Sequence, residues 1–228
     1  MTPRTDDAPP AFEKRLDVRS LMVLASVFGR GYQRREMPRP CPIPATGPAV
    51  IAANHTSGLD PLAIQSTCPR PIVWVMTSEF YDLPSLRWFL KHVEMIRIDR
   101  ESNDAAPWRQ ALRVLGEGRV VGVFPEGRIE RTRELMPFGV GVSTMALRGN
   151  ADLFPVYLDG RQRNTPMLEA YLWPQTPMIA WGDPIRVATD GGKRRRAKEL
   201  TDDLQATIEA MRQKHEARRA KGRSVVST

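Results

Sequence analysis

This sequence predicts an α/β fold: a mixed, largely parallel sheet flanked by helices. Two patterns carry that expectation. Short apolar runs of strand length recur along the chain, and between them apolar residues fall at helical spacing. The runs are apolar without alternation, as strands covered by helices on both faces should be. The chain is also long enough. Its 228 residues, 41% hydrophobic and 26% charged, suffice for one sizeable folded domain with appendages.

Residues 1–10 are Pro-rich and polar and read as a disordered N-terminus. Residues 11–36 read as an amphipathic, membrane-associating helix. Phe12, Leu16, Leu21, Leu24 and Phe28 mingle there with Lys14, Arg15, Arg19, Arg30, Arg34 and Arg35. Such a stripe lies in a membrane interface or packs on the domain, and the two can coexist. Met37 to Pro48 holds five prolines, which excludes helix and central strand and leaves an extended connector. The α/β domain runs over residues 37–190. Its expected strands are Ala49–Ala53, Pro71–Met76, Met95–Asp99, Arg119–Phe124, "DLFPVYL" from Asp152 and "MIAWGDPIRV" from Met178. Helices are expected over Asp60–Thr67, over Leu83–His92 and within "FGVGVSTMALRGN". Another, capped by Asp104, carries Trp108, Ala111, Leu112 and Leu115 and ends at Gly116 and Gly118. Residues 191–228 read as a basic C-terminal helix and tail, with Leu200, Leu204, Ile208 and Met211 on one face.

Composition narrows the function. Cys41 and Cys68 are the only cysteines and lack zinc-like spacing, so no disulfide or metal framework is expected and a reducing compartment is the default. No run approaches the ~20 apolar residues that span a bilayer. The longest, Leu21 to Phe28, lies far from Met1, behind acidic residues, with no cleavage site after it, so it is not a signal peptide. A cytoplasmic protein is expected. The formal charge is +8, and Lys193 to Arg223 holds eleven Lys/Arg against five Asp/Glu. That balance suits an anionic leaflet, nucleic acid or a merely solvated helix.

Three apolar runs end in polar turns: "VIAANHTSGLDP", "MIRIDRES" and "VVGVFPEGRIERT". In α/β sheets ligands bind beyond the carboxyl ends of strands, so these turns can converge on one site. It would hold His55, Asp60, Arg100, Glu126 and Arg128. A neutral imidazole takes a proton from a hydroxyl near pH 7, and a carboxylate on its far nitrogen fixes the tautomer. Arginines grip phosphate, and a Gly lets backbone N–H groups approach an anion. Together these describe a base that activates a hydroxyl on a phosphate-bearing molecule. Taken singly, each residue could equally cap a helix or join a surface ion pair. The sequence has no G-x-S-x-G elbow, P-loop or dinucleotide fingerprint.

As a set, these stretches resemble the glycerolipid acyltransferases, the 1-acylglycerol-3-phosphate acyltransferase family. "NHTSGLD" is similar to its N-H-x4-D block and "MIRIDR" to its second block, ending in Ile-x-Arg. "VFPEGR" is similar to its F-P-E-G block, and "LFPVYLDG" to its fourth, a hydrophobic strand around a Pro. They stand in the family's order between Ala49 and Gly160, and "IAWGDPI" resembles a late strand. The resemblance implies acyl transfer from acyl-CoA or acyl carrier protein to a lysophospholipid hydroxyl, foremost 1-acylglycerol-3-phosphate giving phosphatidic acid. It implies no metal, no cofactor and no acyl-enzyme. His55 is then the general base and Asp60 its orienting partner, with Asn54, Arg100, Glu126, Gly127 and Arg128 binding substrate. The enzyme would sit peripherally on the cytoplasmic face of the membrane, against the inner leaflet, held by residues 11–36.

The sequence also departs from the family pattern. Arg128 directly follows Gly127, and Ile129 takes the usual Arg place. Glu94 stands where Gly is usual, Arg97 where Phe is usual, and Thr77 where a Lys often precedes the Glu matched by Glu79. These leave His55 and Asp60 intact but open the acceptor to a head-grouped lysophospholipid, a lyso-aminolipid or a glycan lipid. The alternative from another class is a non-catalytic basic binding protein. Such a module needs neither His55 nor Asp60, so no nucleic-acid partner is expected.

Overall fold

Ala49–Ala53 (β1) is buried along its whole length, near the middle of a sheet with six strands among the described residues. The computed structural model describes residues 16–27, 37–77, 94–99, 105–130, 132, 134–159, 177–187 and 196–226. In chain order the described elements are α1 (Leu16–Val27), β1, α2 (Asp60–Gln65), β2 (Ile72–Thr77), β3 (Ile96–Ile98) and α3 (Ala106–Gly116). Then come β4 (Val120–Val123), α4 (Gly141–Arg148), β5 (Asp152–Asp159), β6 (Met178–Trp181) and α5 (Ala197–Val226). The sheet order is β3-β2-β4-β1-β5-β6. Its pairs are parallel except β5–β6, which is antiparallel. The expected fold class is therefore the observed one.

Strand periodicity explains the two cores. Val50, Ala52, Val121, Val123, Leu153 and Tyr157 pack with Ala111, Leu115, Val142, Met145, Leu200, Leu204 and Ile208 of α3, α4 and α5. The alternate positions, Ile51, Ala53, Trp74, Phe154, Val156 and Leu158, pack with Ala63 and Ile64 of α2. Each such large side chain contributes roughly 1.5–3 kcal/mol on burial. Continuous apolar runs are required because both faces are covered.

Two expectations change in detail. "MIAWGDPIRV" is not one strand. β6 ends at Trp181, and Ile185 re-pairs with Leu153 through N–H···O bonds of 3.0 and 2.8 Å, one residue out of register. Gly182 and Pro184 fall in that bulge, where Pro184 has no ladder hydrogen bond to lose. The helix expected from an Asp104 cap starts at Ala106, with Ala105 in the cap position and no side-chain cap. Pro107, in the first turn, needs none, since its missing N–H would have been an orphan there. Asp104 itself lies outside the described residues, as does the helix expected over Leu83–His92.

Of the stripe expected near the N-terminus, Leu16 has a described side chain. It is 82% exposed, and Val23 and Val27 are 62% and 63% exposed. These three recur at i, i+7 and i+11, on one helix face. Val18 and Ala25 lie on the opposite face and are buried, and α1 packs against α2. None of the described helices is long and apolar enough to cross a membrane.

Glu94, in the place where the family usually has Gly, has φ +54°. That left-handed conformation suits Gly, and here the Glu94 carboxylate accepts from Arg119 Nη2 at 2.8 Å. Cys41 of the connector and Cys68 after α2 are both free thiols. A hydrogen bond from the Cys68 thiol pulls Cys41 below the usual thiol range. The same bond, with burial, pushes Cys68 well above it.

Candidate active site

The chain leaving β1 builds the site. Asn54 is 1% exposed, and its amide is spent on one partner residue. Nδ2 donates to the Leu158 carbonyl at 3.0 Å, and Oδ1 accepts from the Leu158 N–H at 2.7 Å. It thus extends the β1–β5 ladder by a side chain. Buried and doubly bonded, it clips the turn to the sheet.

His55 follows, with its side chain 14% exposed. Its Nδ1 lies 3.0 Å from Asp60 Oδ2. The same oxygen accepts from the backbone N–H groups of Thr56 and Ser57 at 2.6 and 2.8 Å. Asp60 Oδ1 accepts from Thr56 Oγ1 at 3.2 Å. The alternative of Asp60 as a helix cap does not hold. Leu59 occupies the cap position of α2 without a side-chain bond, while Asp60 reaches back to close its own turn. A carboxylate only accepts, so in the neutral imidazole Nδ1 is the nitrogen that carries the proton and Nε2 the one with the lone pair.

The exit of β4 supplies the facing wall. Phe124 to Gly127 forms a tight turn, with Gly127 N–H donating to the Phe124 carbonyl at 3.0 Å. Gly127 has φ +69°, which explains a Gly there. Glu130 N–H donates to the His55 carbonyl at 2.7 Å and ties the two turns together. β4 and β1 are adjacent central strands, so both turns open at the same carboxyl edge.

Between them lies a cavity of about 490 Å³. His55, Glu126, Gly127 and Arg128 line it, against apolar walls from Trp74, Val75, Ile98, Trp108, Phe124 and Val142. A Cβ at Gly141 would come within 2.5 Å of the Trp108 ring, so this Gly lets the indole wall the cavity. Arg128 is exposed at the rim, its Nε donating to Met136 Sδ at 3.1 Å. The structure thus gathers His55, Asp60, Glu126, Gly127 and Arg128 in one place. Arg100 lies outside the described residues. Sequence reasoning passed over Trp74, Trp108 and the ring of Phe124. Phe124 sits inside a quoted motif, but nothing in that motif states what its ring touches.

A largely parallel sheet with a His–Asp pair at its carboxyl edge, opening on an apolar cavity, has the features of a ligand-binding site of an α/β protein. The Acyltransferase family model matches residues 34–159, and the chain belongs to that family. It is 30% identical over 119 residues to a 1-acyl-sn-glycerol-3-phosphate acyltransferase of Bacillus subtilis, covering 52% of this chain and 59% of that protein. It is 31% identical over 118 residues to the enzyme so named in Borreliella burgdorferi, covering 51% and 47%. The chain thus spans about half the length of the curated relatives it matches. In fold it is similar to the Thermotoga maritima 1-acyl-sn-glycerophosphate acyltransferase PlsC, with a TM-score of 0.66 at 16% identity. That likeness covers 86% of this chain and 80% of the other.

Proposed function

We propose that this protein is an O-acyltransferase that acylates a lysophospholipid hydroxyl, most fittingly that of 1-acylglycerol-3-phosphate, from an acyl thioester of CoA or carrier protein. The observation that carries this reading is the His55–Asp60 contact at 3.0 Å beside an apolar cavity. His55 Nε2 takes the acceptor hydroxyl's proton as its oxygen adds to the thioester carbonyl. The tetrahedral oxyanion collapses, the C–S bond breaks, and the thiolate leaves, taking the proton back from the imidazolium. Asp60 stabilises that imidazolium, and Arg128 binds the acceptor phosphate at the rim. The chain's own chemistry needs no metal or cofactor for these steps.

The test is thiol release from a long-chain acyl-CoA, and from acyl carrier protein, with lysophosphatidate in micelles. Acceptor-dependent release, abolished by His55→Ala, is expected. Release untouched by that change would end the general-base reading. Arg128 is exposed, so a phosphate held there leaves room for a head group. A lysolipid panel separates the two acceptors.

The apolar face of α1, Leu16, Val23 and Val27, is read as the surface that holds the enzyme on the inner leaflet. Replacing all three by Ser should weaken binding to anionic liposomes by about 3 kcal/mol, roughly a hundredfold. Unchanged binding by a folded variant would refute the anchor.

A further inference from the structure

We propose that Phe124, supported by Trp74, is a positioning residue that fixes the plane of the His55 imidazole and meets its developing charge with an aromatic face; this rests on the acyl-transfer reading above. The imidazole of His55 stacks on the phenyl ring of Phe124, with centroids 4.0 Å apart and planes 15° from parallel. Phe124 stacks in turn with the indole of Trp74, at 5.0 Å and 11°. Three rings from three segments therefore lie nearly parallel in one stack. His55 follows β1, Phe124 follows β4, and Trp74 lies on β2.

The stack has a built support. Trp74 pairs directly with Gly122 across the β2–β4 ladder. A Cβ at Gly122 would fall 2.5 Å from Trp74 Cε3 and 2.6 Å from Cζ3. The indole can lie flat over β4 only because that position has no side chain. Trp74 is 2% exposed and cannot swing away into solvent.

The reaction needs such a support. Asp60 contacts the ring at one atom, Nδ1, and a contact at one ring atom does not by itself fix the tilt of the ring plane. A parallel ring at van der Waals distance fixes it. When Nε2 gains the hydroxyl proton, the ring becomes a cation, and an aromatic face attracts a cation. His55, Phe124 and Trp74 all border the cavity, so the stack lies where the reaction occurs.

The experiment compares wild type with Phe124→Leu, Phe124→Tyr and Trp74→Phe. Rates come from thiol release, and the ring protons of His55 from NMR, with the signal assigned by its loss in His55→Gln. In wild type those protons resonate upfield, shifted by the ring current of Phe124. Phe124→Leu should lose the upfield shift and lower kcat roughly tenfold or more, with KM for donor and acceptor within about twofold. Phe124→Tyr should restore both, and Trp74→Phe should fall between. A Leu variant that loses the shift but keeps kcat overturns the positioning role. So does one that raises KM alone, which would make Phe124 a substrate contact. Unshifted His55 protons in an active wild type also overturn it. Upfield protons with no thiol release from any lysolipid would instead sink the acyl-transfer reading and leave the stack standing.

Discussion

Asp60→Asn isolates charge from shape. The Asn carbonyl can stand where Oδ2 stands, keeping acceptance from Thr56 N–H, Ser57 N–H and His55 Nδ1. Its amide nitrogen then faces the Thr56 hydroxyl, which can turn to accept. Only the negative charge beside the imidazolium is lost. Two unit charges about 4 Å apart at an effective dielectric of about 20 interact by about 4 kcal/mol. That is about three decades in rate, and partial exposure of His55 reduces it to roughly a hundred- to thousandfold. The effect should fall on kcat, because Asp60 does not line the cavity. Steady-state thiol release gives both constants. Asp60→Ala is the contrast. It strips an acceptor from two backbone N–H groups and should cost about 2–4 kcal/mol, lowering Tm by roughly 5–10 °C. Asp60→Asn at wild-type Tm with kcat within about threefold of wild type would refute the dyad.

Two further outcomes follow from the packing. Arg70 is buried and donates to the carbonyls of Pro44, Gly47 and Gly118, binding the connector to the turn before β4. Arg70→Ala should lower stability by about 3–5 kcal/mol, read as a reduced denaturant midpoint at constant slope, and an unmoved midpoint would contradict the role. The hydrogen bond from Cys68 lowers Cys41, so its thiolate forms at lower pH than an ordinary thiol's, while Cys68 stays protonated. Iodoacetamide should therefore label Cys41 alone in the folded protein, and Cys68→Ala should move that labelling to higher pH. Equal labelling of both thiols would refute the pairing.

Much of the sheet was legible because burial on both faces leaves a plain mark. β1 and β4 are continuous apolar runs, and no competing pattern obscures them. "MIAWGDPIRV" misled because a bulge keeps both flanks apolar while shifting register by one residue. The partner of Asn54 was hidden for a different reason. A polar residue beside a candidate base reads as substrate contact, and only the facing strand reveals that Leu158 takes both ends of its amide. The start of α3 was mistaken because an Asp before a helix is the commoner cap, while Pro107 in the first turn makes a cap less necessary.

By itself the sequence determined which residue types are available for chemistry and which segments must be buried. Hydrophobic period, prolines and positive-φ glycines act locally, and they are written in neighbouring residues. That His55 and Asp60 belong together was also local, since five positions and one turn separate them. The order of the strands is not local. Only the tertiary structure put β4 next to β1, and so brought Glu126, Gly127 and Arg128 against His55 across more than seventy residues of chain. The aromatic stack beneath the imidazole has the same origin, because which rings meet depends on register between strands that the chain itself keeps far apart.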